Sequence, residues 1–181
     1  MTARPRLASA LLLGSLALSF AIAPGAPTRG ESGACALIPD DRNPSEKMLR
    51  CGDDLTIRAA AGTQYSLVDQ QGQQPPKAAK LEFGALLVEF KPSEKRRNFQ
   101  ILTPNAVAAV RGTTWAVEVD AEKSATLVVL GYVEVKRPDG SDGVLLRAGQ
   151  GVDVTVGSSG QLLAKRWAKP RADALLARFG Q

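Results

Sequence analysis

The sequence predicts an all-β fold, either a short β-solenoid-like coil or a flattened, jelly-roll-like β-sandwich of many short strands, closed by a C-terminal capping helix. Three observations lead there. Beyond Cys51 the apolar residues recur with period two, as in Leu55-Thr56-Ile57-Arg58-Ala59, Val117-Glu118-Val119, Val133-Glu134-Val135 and Val152-Asp153-Val154. β-Branched residues are frequent, and turn signals break the runs at Gln71-Gly72, Pro75-Pro76, Lys91-Pro92-Ser93 and Pro138-Asp139-Gly140, which sets strands short. After Pro170 the composition shifts to Ala and Leu, the pattern of a helix.

Taken in order, residues 1–23 read as an export signal. Arg4 and Arg6 supply a positive start, Leu7 to Ile22 carries no charge, and Ala21-Ile22-Ala23 offers small residues where a signal peptidase cuts. Cleavage falls after Ala23 or, because Pro24 is a poor first residue, after Ala26. The competing reading is an uncleaved anchor, for which the 16-residue apolar run is short against a hydrocarbon core about 30 Å thick. Lipidation at Cys35 is not expected, since Ser32 occupies the place of an aliphatic residue and the cysteine lies well beyond the apolar run.

Residues 24–50 form a lead-in rich in Pro and Gly, with Asn43-Pro44-Ser45 opening a short helical turn through Leu49. Cys35 and Cys51, the only cysteines, both follow the signal. In an oxidising compartment they are expected to pair in one disulfide that ties the lead-in to the first strand. Such a loop closure contributes on the order of 3 kcal/mol in the chain-entropy account. The alternative is two buried free thiols. Two sulfurs without a histidine cannot complete a tetrahedral metal site.

Residues 51–165 carry the β domain. Segments of the form strand, glycine, strand centre on Gly62, Gly84, Gly112, Gly131 and Gly149, at intervals of 22, 28, 19 and 18 residues. Leu81 to Leu87 and Val128 to Val133 share one design, each with a glycine at the middle. Intervals near 20 suggest stacked coils with a corner at each glycine, while their irregularity keeps an ordinary sandwich open. In residues 166–181, Pro170 begins a helix and Gly180 stops it. Leu175, Leu176 and Phe179 share one face, with Arg171, Asp173 and Arg178 off it. Such a helix is expected to cover an exposed sheet end. Contact with a membrane surface, aided by Lys165, Arg166 and Lys169, is its alternative use.

The densest pattern in the chain is Thr103-Pro104-Asn105-Ala106-Val107-Ala108-Ala109-Val110-Arg111-Gly112-Thr113, followed by Trp115. It resembles the core signature of the FecR domain, T-P-x-A-x-x-x-V-R-G-T and an aromatic, and the resemblance continues through strands interrupted at Gly131 and Gly149, covering about residues 51–157. The resemblance implies a periplasmic module of cell-surface signalling, in which an outer-membrane transducer is coupled to control of a sigma factor. The chain departs from that arrangement, since no cytoplasmic anti-sigma segment precedes the apolar run. A relative that binds a protein or an envelope glycan fits better than direct sigma-factor control.

The chain contains no histidine, which removes Ser-His-Asp and Cys-His catalysis and histidine-ligated metals. Glu118, Glu134 and Asp153 alternate with valines, the pattern of a solvated strand face more than of paired catalytic acids. Asp53-Asp54 and Asp139-Gly140-Ser141-Asp142-Gly143 have the composition of calcium ligands, but the latter lacks a closing glutamate and reads as a hairpin turn. The formal charge of +5 falls to +3, 21 basic against 18 acidic residues, once Arg4 and Arg6 leave with the signal. No basic block with interleaved aromatics suggests nucleic acid. Arg111 sits between an apolar strand and a glycine corner, where a guanidinium can hydrogen-bond carbonyls left open by the bend. Thr103, Pro104, Val110, Gly112, Thr113 and Trp115 are read as scaffold beside it. The expectation is an exported, non-enzymatic interaction module of the envelope without cofactor and without stable membrane insertion after cleavage. A small hydrolase or lyase of envelope polymers is the alternative.

Overall fold

The computed structural model describes residues 35–40, 42, 47–68, 76–94 and 96–181. The segment read as an export signal and the turn at Gln71-Gly72 lie outside these residues. The chain forms β1 (Cys35–Pro39), β2 (Lys47–Cys51), β3 (Leu55–Ala59), β4 (Gln64–Val68), β5 (Ala78–Phe90), β6 (Phe99–Leu102) and β7 (Val107–Val110). There follow β8 (Thr113–Val119), β9 (Lys123–Leu130), β10 (Tyr132–Lys136), β11 (Gly143–Arg147), β12 (Gln150–Thr155), β13 (Lys165–Arg166) and the helix α1 (Lys169–Ala177).

The thirteen strands belong to one hydrogen-bonded network that curls about β5 into two facing layers. The second half of β5 pairs with β3 and β8 in the larger layer, ordered β1-β2-β3-β5-β8-β9-β12-β13. Its first half pairs with β4 and β6 in the smaller layer, ordered β4-β5-β6-β7-β10-β11. Neighbours run antiparallel, except for three residue pairs between β5 and β6. The arrangement is thus the flattened sandwich of the two all-β alternatives.

The chain crosses between layers at Gly62, Gly84, Gly112, Gly131 and Gly149, each with φ between 75° and 92°. Gly84 shows why the residue is required. It bends β5 in mid-strand at φ 92°, and a Cβ there would stand 2.6 Å from the Thr63 Cα and 2.5 Å from its Oγ1. The Thr63 hydroxyl occupies the space instead, donating to the Ala85 carbonyl and accepting from the Ala85 N–H, both at 3.1 Å. Only a residue without a side chain combines this conformation with that approach.

The main core lies between the layers. Leu55, Ile57, Leu86, Val88, Trp115 and Val117 point in from the larger, and Leu81, Phe99, Ile101, Val133, Val135 and Leu146 from the smaller. Trp115 is fully buried, its ring 6.4 Å from Phe99, which lies 6.2 Å from Phe90. A second cluster occupies the outer face of the larger layer, where Ala60, Ala85, Leu87, Ala116, Ala125 and Leu127 meet Trp167, Leu175 and Phe179. The alanines keep this face shallow enough for a helix to lie on it. Gly151 has the same role under Trp167, whose Nε1 would stand 2.4 Å from a Cβ at that position. Burial on both sides accounts for the unbroken apolar run Ala85-Leu86-Leu87-Val88 within an otherwise alternating chain.

Two expectations change. Lys47–Cys51 is a strand paired with β1 and β3, not the end of a helical turn, so the described part of the lead-in is integral to the larger layer. The alternation of buried and exposed residues in Lys47-Met48-Leu49-Arg50-Cys51, with β3 already formed beside it, outweighs the helix start signalled by proline. Helix α1 covers a sheet face and not a sheet end, because the apolar area needing cover lies on that face.

Candidate interaction surface

The signature segment builds a hairpin and a corner. Between β6 and β7, the Thr103 hydroxyl accepts from the Ala106 N–H at 2.9 Å and donates to the Ala106 carbonyl at 2.8 Å, closing a tight turn around Pro104 and Asn105. Val110 ends β7 in the core, and Gly112 turns the chain at φ 81° into β8. A Cβ on Gly112 would lie 3.0 Å from the Pro92 ring. The Thr113 hydroxyl donates to the Tyr132 carbonyl at 2.9 Å, locking this corner to the next one.

Three corners stack side by side as a result. A Cβ on Gly131 would meet the Gly112 carbonyl oxygen at 2.8 Å, and the Gly149 N–H donates to the Val128 carbonyl at 2.8 Å. The ridge they form presents Arg111 beside Gly112, Leu130 and Tyr132 on either side of Gly131, and Arg147 two residues before Gly149. Register agrees, since Tyr132 pairs with Arg147 and Arg111 lies one residue past the Val110–Val133 pair. Arg166 reaches over the third corner, its Nη1 2.9 Å from where a Gly149 Cβ would stand. Leu130 is 67% exposed and Tyr132 54% exposed, and Leu145, 53% exposed on β11, pairs with Glu134, two residues along the strand from Tyr132. Large apolar side chains at such exposure mark a contact surface when they cluster.

Arg111 is exposed and, among the described residues, makes no hydrogen bond or ion pair. It therefore does not hold the corner carbonyls, as the sequence suggested. The Tyr132 carbonyl at the neighbouring corner is held by the Thr113 hydroxyl instead, and the five donors of Arg111 face solvent. Arg147 and Arg166 likewise lack side-chain partners among the described residues.

Other arginines hold the structure, and sequence reasoning missed them. Arg58 is buried, its Nε donating to Asp40 at 2.7 Å and its Nη1 to Glu89 at 2.7 Å. Arg96, 3% exposed, donates to Asp54 at 2.8 Å and fixes the loop after β5 to the turn after β2. Ser93 joins the same carboxylate at 2.7 Å. Burial pushes the Arg96 pKa down, and the charge of Asp54 opposes that shift. Arg58 sits in an alternating strand and Arg96 in a charged loop, and neither setting signals burial; only the packing shows it.

The carboxylates weighed as catalytic acids are engaged elsewhere. Asp153 accepts from Arg171 at 2.5 and 2.9 Å, and Glu118 accepts from Arg178, so both pin α1 to the larger layer. Glu134 pairs with Lys136 at 2.9 Å. The Asp139–Gly143 stretch is the hairpin turn between β10 and β11. In it Asp139 accepts from the N–H and hydroxyl of Ser141, and Asp142 accepts from the N–H groups of Gly143 and Leu162. Among the described residues no cluster of His, Cys, Asp or Glu could hold a metal ion, and no helix is long and apolar enough to cross a membrane. Cys35 and Cys51 are joined in a disulfide at the paired ends of β1 and β2.

No curated protein matches the chain. Two crystal structures of a "putative anti-sigma factor" from Parabacteroides distasonis share its fold, each with a TM-score of 0.53 and 19% sequence identity over 80% of this chain. The match spans 61% of the length of that protein. The family model of the FecR protein matches residues 42–134, which hold the signature from Thr103 to Trp115 and the first two corners of the ridge. The chain belongs to the FecR family.

Proposed function

We propose that the chain is an exported, non-enzymatic interaction module of the cell envelope that binds a protein partner in a signalling pathway. The observation that carries this reading is the corner ridge. The family signature builds it, and it exposes Arg111, Leu130 and Tyr132 together. Membership of the FecR family and the fold shared with the anti-sigma-like structures support a signalling context. The engagement of Glu118 and Asp153 in holding α1 speaks against the hydrolase alternative, because both acids are spent on structure. The charge and apolar layout of the first 23 residues supports export, to the periplasm or beyond the cell.

The test is retention from envelope extract on the immobilised full chain, with mass spectrometry and sugar analysis of what is held. Wild type is expected to retain a defined protein, and Tyr132→Asp to release it without moving the urea midpoint. Retention of glycan alone would replace the protein partner. Release of soluble fragments from purified envelope polymers, with nothing retained, would overturn the reading in favour of an enzyme.

A further inference from the structure

We infer that the corner ridge binds an extended acidic peptide segment, its carboxylates on Arg111, Arg147 and Arg166 and its apolar side chains on Leu130 and Tyr132. This rests on the reading of the chain as an interaction module and specifies the chemistry of its partner.

Charge decides the sign. Arg58, Arg96, Arg171 and Arg178 each hold a carboxylate of this chain, whereas the three ridge arginines hold none among the described residues. The nearest carboxylate on the same face, Glu134, is taken by Lys136. The ridge is thus a local excess of positive charge with all its guanidinium donors directed at solvent. Carboxylates answer such groups with paired, charge-assisted hydrogen bonds.

Geometry and composition favour a peptide over an anionic surface. Arg111 and Arg147 flank Tyr132 on successive strands of the smaller layer, so two strand spacings separate them, about 10 Å. An extended chain rises about 3.3 Å per residue and turns alternate side chains to one face, so acids four positions apart, about 13 Å, straddle the two guanidiniums within reach of their long side chains. The side chain midway between the acids then faces the same way and falls on Tyr132, 54% exposed, with Leu130, 67% exposed, two residues before it. A headgroup layer or a uronic-acid polymer has charge for the arginines but no side chain for this apolar centre.

Fluorescence anisotropy on the full chain tests it with a labelled hexapeptide that carries glutamates at positions 1 and 5 and a phenylalanine at position 3. Controls are the same peptide with glutamines, phosphatidylglycerol vesicles and polygalacturonate. The acidic peptide is expected to bind, and the glutamine peptide to bind at least about ten-fold more weakly. Arg111→Gln and Arg147→Gln should each weaken binding roughly five-fold, between the values for an exposed ion pair and a hydrogen bond to a charged group. Leu130→Asp should abolish binding, and raising salt from about 0.05 to 0.5 M should weaken it, since exposed charges are screened over a few ångströms there.

Failure of wild type to bind the peptide, or equal binding by the arginine variants, overturns the inference. Preference for vesicles or polygalacturonate over the peptide overturns it in favour of a membrane or a glycan. Extract retention separates the two levels. If the arginine variants still retain the protein that wild type holds, this surface is wrong while the module reading stands. If wild type retains nothing, the module reading falls as well.

Discussion

The two layers share a core and a strand, yet their outer faces are built to opposite ends. The outer face of the larger layer carries an alanine and leucine patch, on which α1 lies with Trp167, Leu175 and Phe179. That of the smaller layer carries Glu134, Lys136 and Arg147 around exposed Tyr132 and Leu145, and among the described residues no helix lies on it. The first face is apolar enough to require cover and small enough to receive it. The second is charged enough to stay in water while leaving apolar side chains available to a partner. The covered face is therefore the place to look for stability, and the bare one the place to look for binding.

The largest effect is expected where the two faces share a residue. Gly84→Val introduces a β-branched side chain at φ 92° with Thr63 backbone 2.6 Å from its Cβ, so both layers lose their common strand. A cost above about 4 kcal/mol is expected, seen as the absence of a cooperative thermal transition. A cooperative melt close to wild type would remove the corner from the account of the fold.

Next comes the covered face itself. Trp167→Ala empties the space between Gly151 and α1 and should cost about 3–5 kcal/mol in urea denaturation. Tyr132→Ala on the bare face should stay within about 0.5 kcal/mol. Equal costs would abolish the distinction between the faces.

The polar tethers of α1 sharpen the comparison at smaller scale. Arg171 stacks 3.5 Å over the Trp167 ring and is bidentate to Asp153. Arg171→Ala should cost about 1 kcal/mol, combining an exposed cation–π contact with a half-exposed ion pair. Arg178→Ala, which removes only the pair with Glu118, should cost about half that and lose its effect in high salt. An Arg111→Ala midpoint equal to wild type is the matching result on the ridge.

The smallest effect is a pH dependence carried by one hairpin turn in each layer. In the β8–β9 turn the Glu122 N–H, then that of Lys123 and its charge, hold Asp120 below its usual pKa against the opposing effect of burial. In the β10–β11 turn Ser141 does the same for Asp139 through its N–H and hydroxyl. A depressed carboxylate stabilises the fold above its unfolded pKa, near 3.8, and that contribution disappears as pH falls through the lower folded value. Asp120→Asn and Asp139→Asn should thus lower the midpoint slightly at neutral pH, with the difference from wild type closing in acid. A difference that grows on acidification would reverse the sign of both assignments.

Much of this was legible in residue order. Alternation in Val117-Glu118-Val119 and Val133-Glu134-Val135 specifies half-buried strands, because side chains of a strand point to opposite faces whatever lies around it. Recurrent glycines marked the corners, since left-handed backbone at a close approach admits little else. The helix after Pro170 and the hairpin at Asp139-Gly140 follow from equally local chemistry. Tertiary structure alone decided which of two equivalent-looking charges is structural. Arg58 and Arg111 both neighbour apolar strand residues, but Arg58 meets Asp40 and Glu89 from 18 and 31 residues away, while Arg111 meets nothing in the described chain. Burial of a charge depends on partners brought by the fold, and sequence spacing carries no record of them. The ridge has the same origin: Arg111, Tyr132 and Arg147 lie far apart in the chain, and only the stacking of three glycine corners sets them side by side.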